Sequence, residues 1–215
     1  MSSRILFNLT FSFPTQRYYR IGVSAFFFIQ GLTFATWATR IPDIKTLLHL
    51  SDGMLGAVLF ALPVGQLTAM ALSGYLVSRF GSRHTLTVAA CLYPAGLVLL
   101  GTVTSLWQLV GALFFFGVCG NLSNISINTQ GIGVERLYRR SIMASFHGVW
   151  SLAGFAGGII TTFMIAQSIS PFAHFCIVYT VSFLLMLVAR KYVLPRDAHT
   201  AAREKKKIFV KPDRY

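Results

Sequence analysis

Long apolar tracts separated by short polar or basic breaks dominate the chain. From His84 to Val134, 51 residues pass without an Asp, Glu, Lys or Arg, and from Ser141 to Ala189 another 49 do so. A bilayer core about 30 Å thick takes roughly 20 helical residues. A single helix as long as the first tract would run about 76 Å at the α-helical rise. Each tract must therefore double back, as a helical hairpin with its turn at the opposite membrane face.

The breaks then divide the chain into six spans, at about 21–38, 53–77, 85–103, 106–132, 142–166 and 172–188, between an N-terminal segment 1–20 and a basic tail 191–215. Ser51 or Asp52 suits the N-cap of the second span. Thr104 and Ser105 mark the first hairpin turn, with Trp107 placed for the water interface. Ser168 to Pro171 marks the second turn, with Ser170 as cap and Pro171 at the first helical position. The pattern thus predicts an all-α membrane protein of six transmembrane helices.

Composition supports this. Of the 215 residues 54% are apolar and 12% charged, where a soluble domain carries about 25% charged residues. A net charge of +13 would ordinarily point to nucleic acid. Here the basic residues fill the gaps between apolar runs, so they read as topology signals, and no nucleic-acid partner is expected. With the N-terminus inside, Arg4, Arg17 and Arg20, the loop residues Arg79, Arg83, Arg136, Arg139 and Arg140, and the nine Lys and Arg from Arg190 onward all fall on one side. Only Arg40 and Lys45 fall on the other. The positive-inside rule then places both termini in the cytoplasm. The partner expected for the apolar surface is the lipid bilayer.

No acid or base other than histidine lies in mid-span, so carboxamides become the chemical signal. Gln30 and Gln66 lie near the middle of spans one and two. Span four carries Asn121, Asn124, Asn128 and Gln130, while spans three and six carry no amide. An unpaired amide in hydrocarbon costs several kcal/mol, so these groups should face other helices or a wet cavity. Asn121, Asn124 and Asn128 share one helix face by their spacing. Interhelical hydrogen bonding and a cavity wall for a polar solute both fit, and the uneven distribution among the spans favours the cavity. Glycines cluster on span two (Gly53, Gly56, Gly65) and span five (Gly148, Gly154, Gly157, Gly158), which suits close packing or sliding. Cys91, Cys119 and Cys176 have no metal-ligand or disulfide spacing and read as packing residues. No cofactor is called for. His147 reads as an interfacial cap, Arg40 as an interfacial anchor, and Asp43, Asp52 and Glu135 as solvated loop charges.

The loop between spans two and three contains Gly74, Leu76, Arg79, Gly81 and Arg83 at the spacing of the G-x-L-x-D-R-x-G-R-R signature, and so resembles the major facilitator superfamily. Ser78 stands in place of the usual Asp, and Ser82 in place of a usual basic residue. The stretches Asn124 to Gly131, Val134 to Arg136, Met143 to Gly148 and Thr39 to Pro42 resemble a bacterial branch that includes fucose-permease-like and uncharacterised inner-membrane transporters. That branch often carries an Asp where this chain has Asn124.

The resemblance implies half of a twelve-helix fold, built as two inverted three-helix repeats. The missing partner would be a C-terminal six-helix half or a second copy. It implies a secondary transporter of a small polar solute working by alternating access, with proton-coupled symport as the family default. Gln30, Gln66, Asn121, Asn124, Asn128 and Gln130 are the candidate solute-binding residues. Gly74, Arg79, Gly81 and Arg83 would belong to the inner gate. A non-transporting scaffold or sensor is the alternative. An enzyme is disfavoured, because no acid pair, metal-ligand cluster or nucleophile with its base shares one depth.

Overall fold

The computed structural model describes residues 13–197, with side chains from residue 16. The N-terminal residues 1–12 and the part of the basic tail from 198 to 215 lie outside the described residues. The helices are α1 (Phe13–Leu47), α2 (Asp52–Leu59), α3 (Ala61–Phe80), α4 (Ser82–Gly101), α5 (Leu106–Tyr138), α6 (Met143–Ala166) and α7 (Pro171–Ala189), followed by one 3-10 turn, Arg190–Tyr192. With α2 and α3 taken together, six are long and apolar enough to cross a membrane.

Three elements differ from the sequence expectation, the simplest being α5, which runs to Tyr138 instead of ending near 132. Helix α1 does not end near Ala38 but continues through Arg40 and Pro42 to Leu47. Proline removes one helical hydrogen bond, yet Trp37, Arg40 and Ile44 on either side of it are almost wholly buried, and this packing carries the helix past it. The second span is interrupted at Phe60. Pro63 has no N–H to give the Leu59 carbonyl, so the regular ladder lapses one turn earlier.

Side chains close the helix ends. Ser51 accepts from Met54 N at 3.2 Å, Ser105 from Gln108 N at 3.4 Å and Ser170 from Ala173 N at 3.3 Å. Gln108 reaches back to accept from Thr104 N at 2.8 Å, a variant of the reciprocal capping box. Glu135 is no idle loop charge: it accepts from Ile142 N at 2.8 Å and Met143 N at 2.9 Å, capping the start of α6. A carboxylate there also meets the positive end of the helix dipole.

The two most extensive helix interfaces are α1 with α6 and α3 with α5, and they are built alike. A Cβ on Gly31 of α1 would lie 2.3 Å from the Trp150 carbonyl oxygen of α6, and one on Gly157 of α6 would lie 3.0 Å from Ala35 of α1. In the other pair, a Cβ on Gly117 would lie 2.2 Å from the Leu62 carbonyl oxygen, and one on Gly65 2.2 Å from that of Phe114. Exchanging spans one and four, and two and five, maps one interface onto the other. Likewise α1 meets α7 as α5 meets α4. This is the arrangement of two inverted three-helix repeats. Among the candidate sliding glycines, Gly65 and Gly157 form these contacts, while Gly53, Gly56, Gly148, Gly154 and Gly158 face open space.

The bundle has two ends. The basic face carries the α3–α4 and α5–α6 links and the segment after α7. The opposite face carries the α1–α2, α4–α5 and α6–α7 links. One apolar cluster lies toward the opposite face, around Trp37, Leu97, Leu109 and Phe175. A second lies toward the basic face, around Phe26, Leu86, Val134 and Phe146.

Candidate functional site

Between these two clusters a cleft of about 460 Å³ enters the bundle at mid-depth. Gln30 of α1, Gln66 of α3, and Asn121 and Asn124 of α5 all line it, together with Phe27, Phe34, Tyr93, Gly120, His147 and Trp150. Four amides from three helices thus converge, each from near the middle of its span. Asn124, Phe34 and His147 are exposed at the rim, while Gln30 is buried.

The amides are not equivalent. Asn128, one turn beyond Asn124, donates to the Asn124 backbone oxygen at 2.8 Å and to Asn124 Oδ1 at 3.2 Å. Asn128 therefore supports the cleft without lining it. With Asn124 Oδ1 already engaged, its Nδ2 is the end left to donate. Asn121 Oδ1 is buried with no hydrogen-bond partner among the described residues. A buried acceptor is costly to leave unpaired, so this atom is suited to receive a donor from a bound molecule.

Gln130 departs from the expectation for it. It is fully buried near the basic face, outside the cleft. Its Nε2 donates to Ser82 Oγ at 2.7 Å and to the Leu194 carbonyl at 3.1 Å, and its Oε1 accepts from Leu194 N at 2.8 Å. Leu194 belongs to the segment that folds back after α7, so Gln130 ties α5 to that segment and to the start of α4.

The candidate gate residues surround the same knot. Gly81 alone connects α3 to α4, at φ 82° and ψ 150°, a conformation open essentially only to glycine. Ser82, the next residue, binds Asp197 twice: its N–H donates to Oδ2 at 2.7 Å, and its hydroxyl donates to Oδ1. Asp197 thus brings a carboxylate to a loop that lacks one at Ser78. Arg83 donates to the Arg190 carbonyl at 3.4 Å. Arg79 lies over the rings of Tyr75 and Phe80, 6.0 and 5.8 Å from their centroids. Gly74 is exposed and faces open space. Of the four gate candidates, only Gly81 belongs to the knot, while Arg83 bonds beside it to the segment after α7.

Sequence reasoning missed the aromatic part of the cleft and placed His147 at the interface. His147 packs edge-on against Phe27, with centroids 5.3 Å apart, and Phe34 lies 6.2 Å from Trp150. The nearest sequence signal was the Phe146–His147–Gly148 triplet. The aromatics carry no mark separating cavity walls from lipid-facing surface.

Comparisons with known proteins agree with this architecture. Residues 23–212 match the Major Facilitator Superfamily. An uncharacterized MFS-type transporter of Yersinia pestis is 29% identical over 168 residues, 78% of this chain and 44% of that protein. The membrane protein MosC of Rhizobium meliloti is 35% identical over 135 residues, 63% of this chain and 33% of that protein. The nitrite extrusion protein of Bacillus subtilis is 30% identical over 186 residues, 83% of this chain and 44% of that protein. The chain therefore spans less than half the length of these relatives. The crystal structure of the nucleoside transporter NupG shares the fold, with a TM-score of 0.63 at 15% identity over 88% of this chain and 51% of that one.

Proposed function

The chain belongs to the major facilitator superfamily, and on that premise we propose that it forms one six-helix half of a secondary transporter for a small polar solute. The observation that carries this reading is the convergence of Gln30, Gln66, Asn121 and Asn124 on one mid-depth cleft, with Asn121 Oδ1 unpartnered among the described residues. Donors and acceptors in a recess otherwise walled by rings suit a polar, ring-shaped solute that can stack as well as hydrogen-bond. Binding at mid-depth between inverted repeats is the geometry alternating access requires.

The cleft is open to the surface of this chain. Leu67 and Met70 on α3, and Phe155, Ile159 and Phe163 on α6, are large apolar side chains left exposed. A second six-helix unit, continuous with this chain or a second copy, would close the cleft and cover part of that surface. The Gly81–Ser82–Asp197–Gln130 knot would then be the part of the gate contributed by this half. The run of Lys and Arg on one face supports a cytoplasmic location for that face and for both termini. With Asn124 in place of the Asp usual in the related branch, coupling to protons would run through another group. A scaffold or sensor role remains the second reading.

Uptake of labelled sugars and nucleosides into proteoliposomes containing the full-length gene product tests this. Transport of at least one solute is expected, with Asn124→Ala and Gln30→Ala each lowering it about tenfold, the value of one lost hydrogen bond of roughly 1.4 kcal/mol. Uptake untouched by both substitutions would remove the assigned site. No uptake of any solute would favour the scaffold.

A further inference from the structure

The opposite face of the bundle holds a buried ionisable cluster that the transport reading does not use. Arg40 of α1 is 2% exposed. Its guanidinium donates through Nε to His174 Nδ1 at 3.3 Å, through one terminal nitrogen to Asp43 Oδ2 at 3.1 Å, and through the other to the Ile169 carbonyl at 2.9 Å. His174, in the first turn of α7, is fully buried, and its Nε2 has no hydrogen-bond partner among the described residues. One side chain thus fastens the end of α1 to both the α6–α7 turn and the start of α7.

We propose that Arg40 and His174 form a proton-responsive clamp that holds the end of α1 while the imidazole is neutral and releases it when the imidazole takes a proton. An arginine is always a donor, so the nitrogen facing it must accept, and the proton of the neutral ring sits on Nε2. A second proton, on Nδ1, removes the acceptor and sets an imidazolium against a guanidinium. The contact then becomes repulsive and the two cations separate. Closed clamp and charged ring exclude one another, so a falling pH shifts the population toward the open state by up to tenfold per unit for one proton.

The groups around His174 leave Arg40 as its dominant electrostatic neighbour. From α1 it faces Arg40, whose charge is shared with Asp43. Lys45, further along α1, is engaged with Asp52. The α6–α7 turn, Gln167 to Ser170, and the end of α4, Leu97 to Gly101, contain no ionisable residue. On α4 the ionisable Cys91 lies deeper, against Tyr179 of α7. Because α1 also carries Phe27, Gln30 and Phe34 into the cleft, release of its end would free a wall of the cavity. The clamp stands independently of whether the chain transports.

Hydrogen exchange read by mass spectrometry on the intact chain in nanodiscs tests this, at pH 8 and pH 5 with rates corrected for intrinsic chemistry. For the wild type, exchange in segments 38–50 and 165–175 is expected to rise at least tenfold at pH 5, while α5 is unchanged. His174→Asn keeps an acceptor that does not titrate, and Arg40→Gln keeps a donor without charge. Each is expected to reduce the rise below twofold. Two variants guard against one failing to fold. A wild type with equal exchange at both pH values, or a folded variant that rises as the wild type does, overturns the clamp.

Discussion

Asn121 and Gln130 stand nine residues apart on α5 and use their amides in opposite ways. Gln130 is saturated: its nitrogen has two acceptors and its oxygen one backbone donor, all inside the protein. Asn121 lines the cleft, and its carbonyl oxygen has no partner among the described residues. A carboxamide in a membrane helix is thus a fastener when its neighbours satisfy it and, on the proposed reading, a binding group when they do not. The carboxamide group alone does not separate the two cases; the supply of partners does.

The sharpest way to break this contrast is to truncate the fastener. Gln130→Ala removes three hydrogen bonds and leaves the part-buried Leu194 N–H without its acceptor, for a loss of about 2–4 kcal/mol in stability. Thermal unfolding in detergent checks it, and a melting temperature equal to that of the wild type would dissolve the distinction. Gly81→Ala tests the turn that presents Ser82 to the knot. Forcing a Cβ into the left-handed region is expected to cost about 1–2 kcal/mol by the same assay. Asp197→Asn retains one acceptor for Ser82 and loses the charge, for about 1 kcal/mol. At the binding end, Asn121→Ala is expected to shift stability by less than about 0.5 kcal/mol while weakening solute binding in a calorimetric titration.

The chain announced its six spans because charge is so costly in hydrocarbon that its absence over long stretches leaves little else to conclude. Capping at Ser170, and at Ser51 as one of two candidates, was equally legible, since hydroxyls before an apolar run serve that purpose locally. Three features were hidden for a common reason. The partners of Gln130, 48 and 64 residues away, depend on how the chain folds back after α7. The burial of Arg40 depends on contacts 129 and 134 residues away. His147 belongs to the cleft only because α6 packs on α1. Local spacing marks which residues are polar, whereas tertiary return decides which find partners. The passage of α1 through Pro42 has the same origin, as long-range burial of Trp37 and Ile44 outweighs a local breaker.

Cysteine accessibility tests the central claim most directly. In a full-length background with Cys91, Cys119 and Cys176 replaced by alanine, single cysteines at positions 30, 66, 121, 124 and 130 would be exposed to a membrane-impermeant maleimide. The account expects rapid labelling at 66, 121 and 124 and slower labelling at the buried position 30, each slowed further by a transported solute, and no labelling at 130. Cysteines at 121 and 124 as inert as the one at 130 would contradict it.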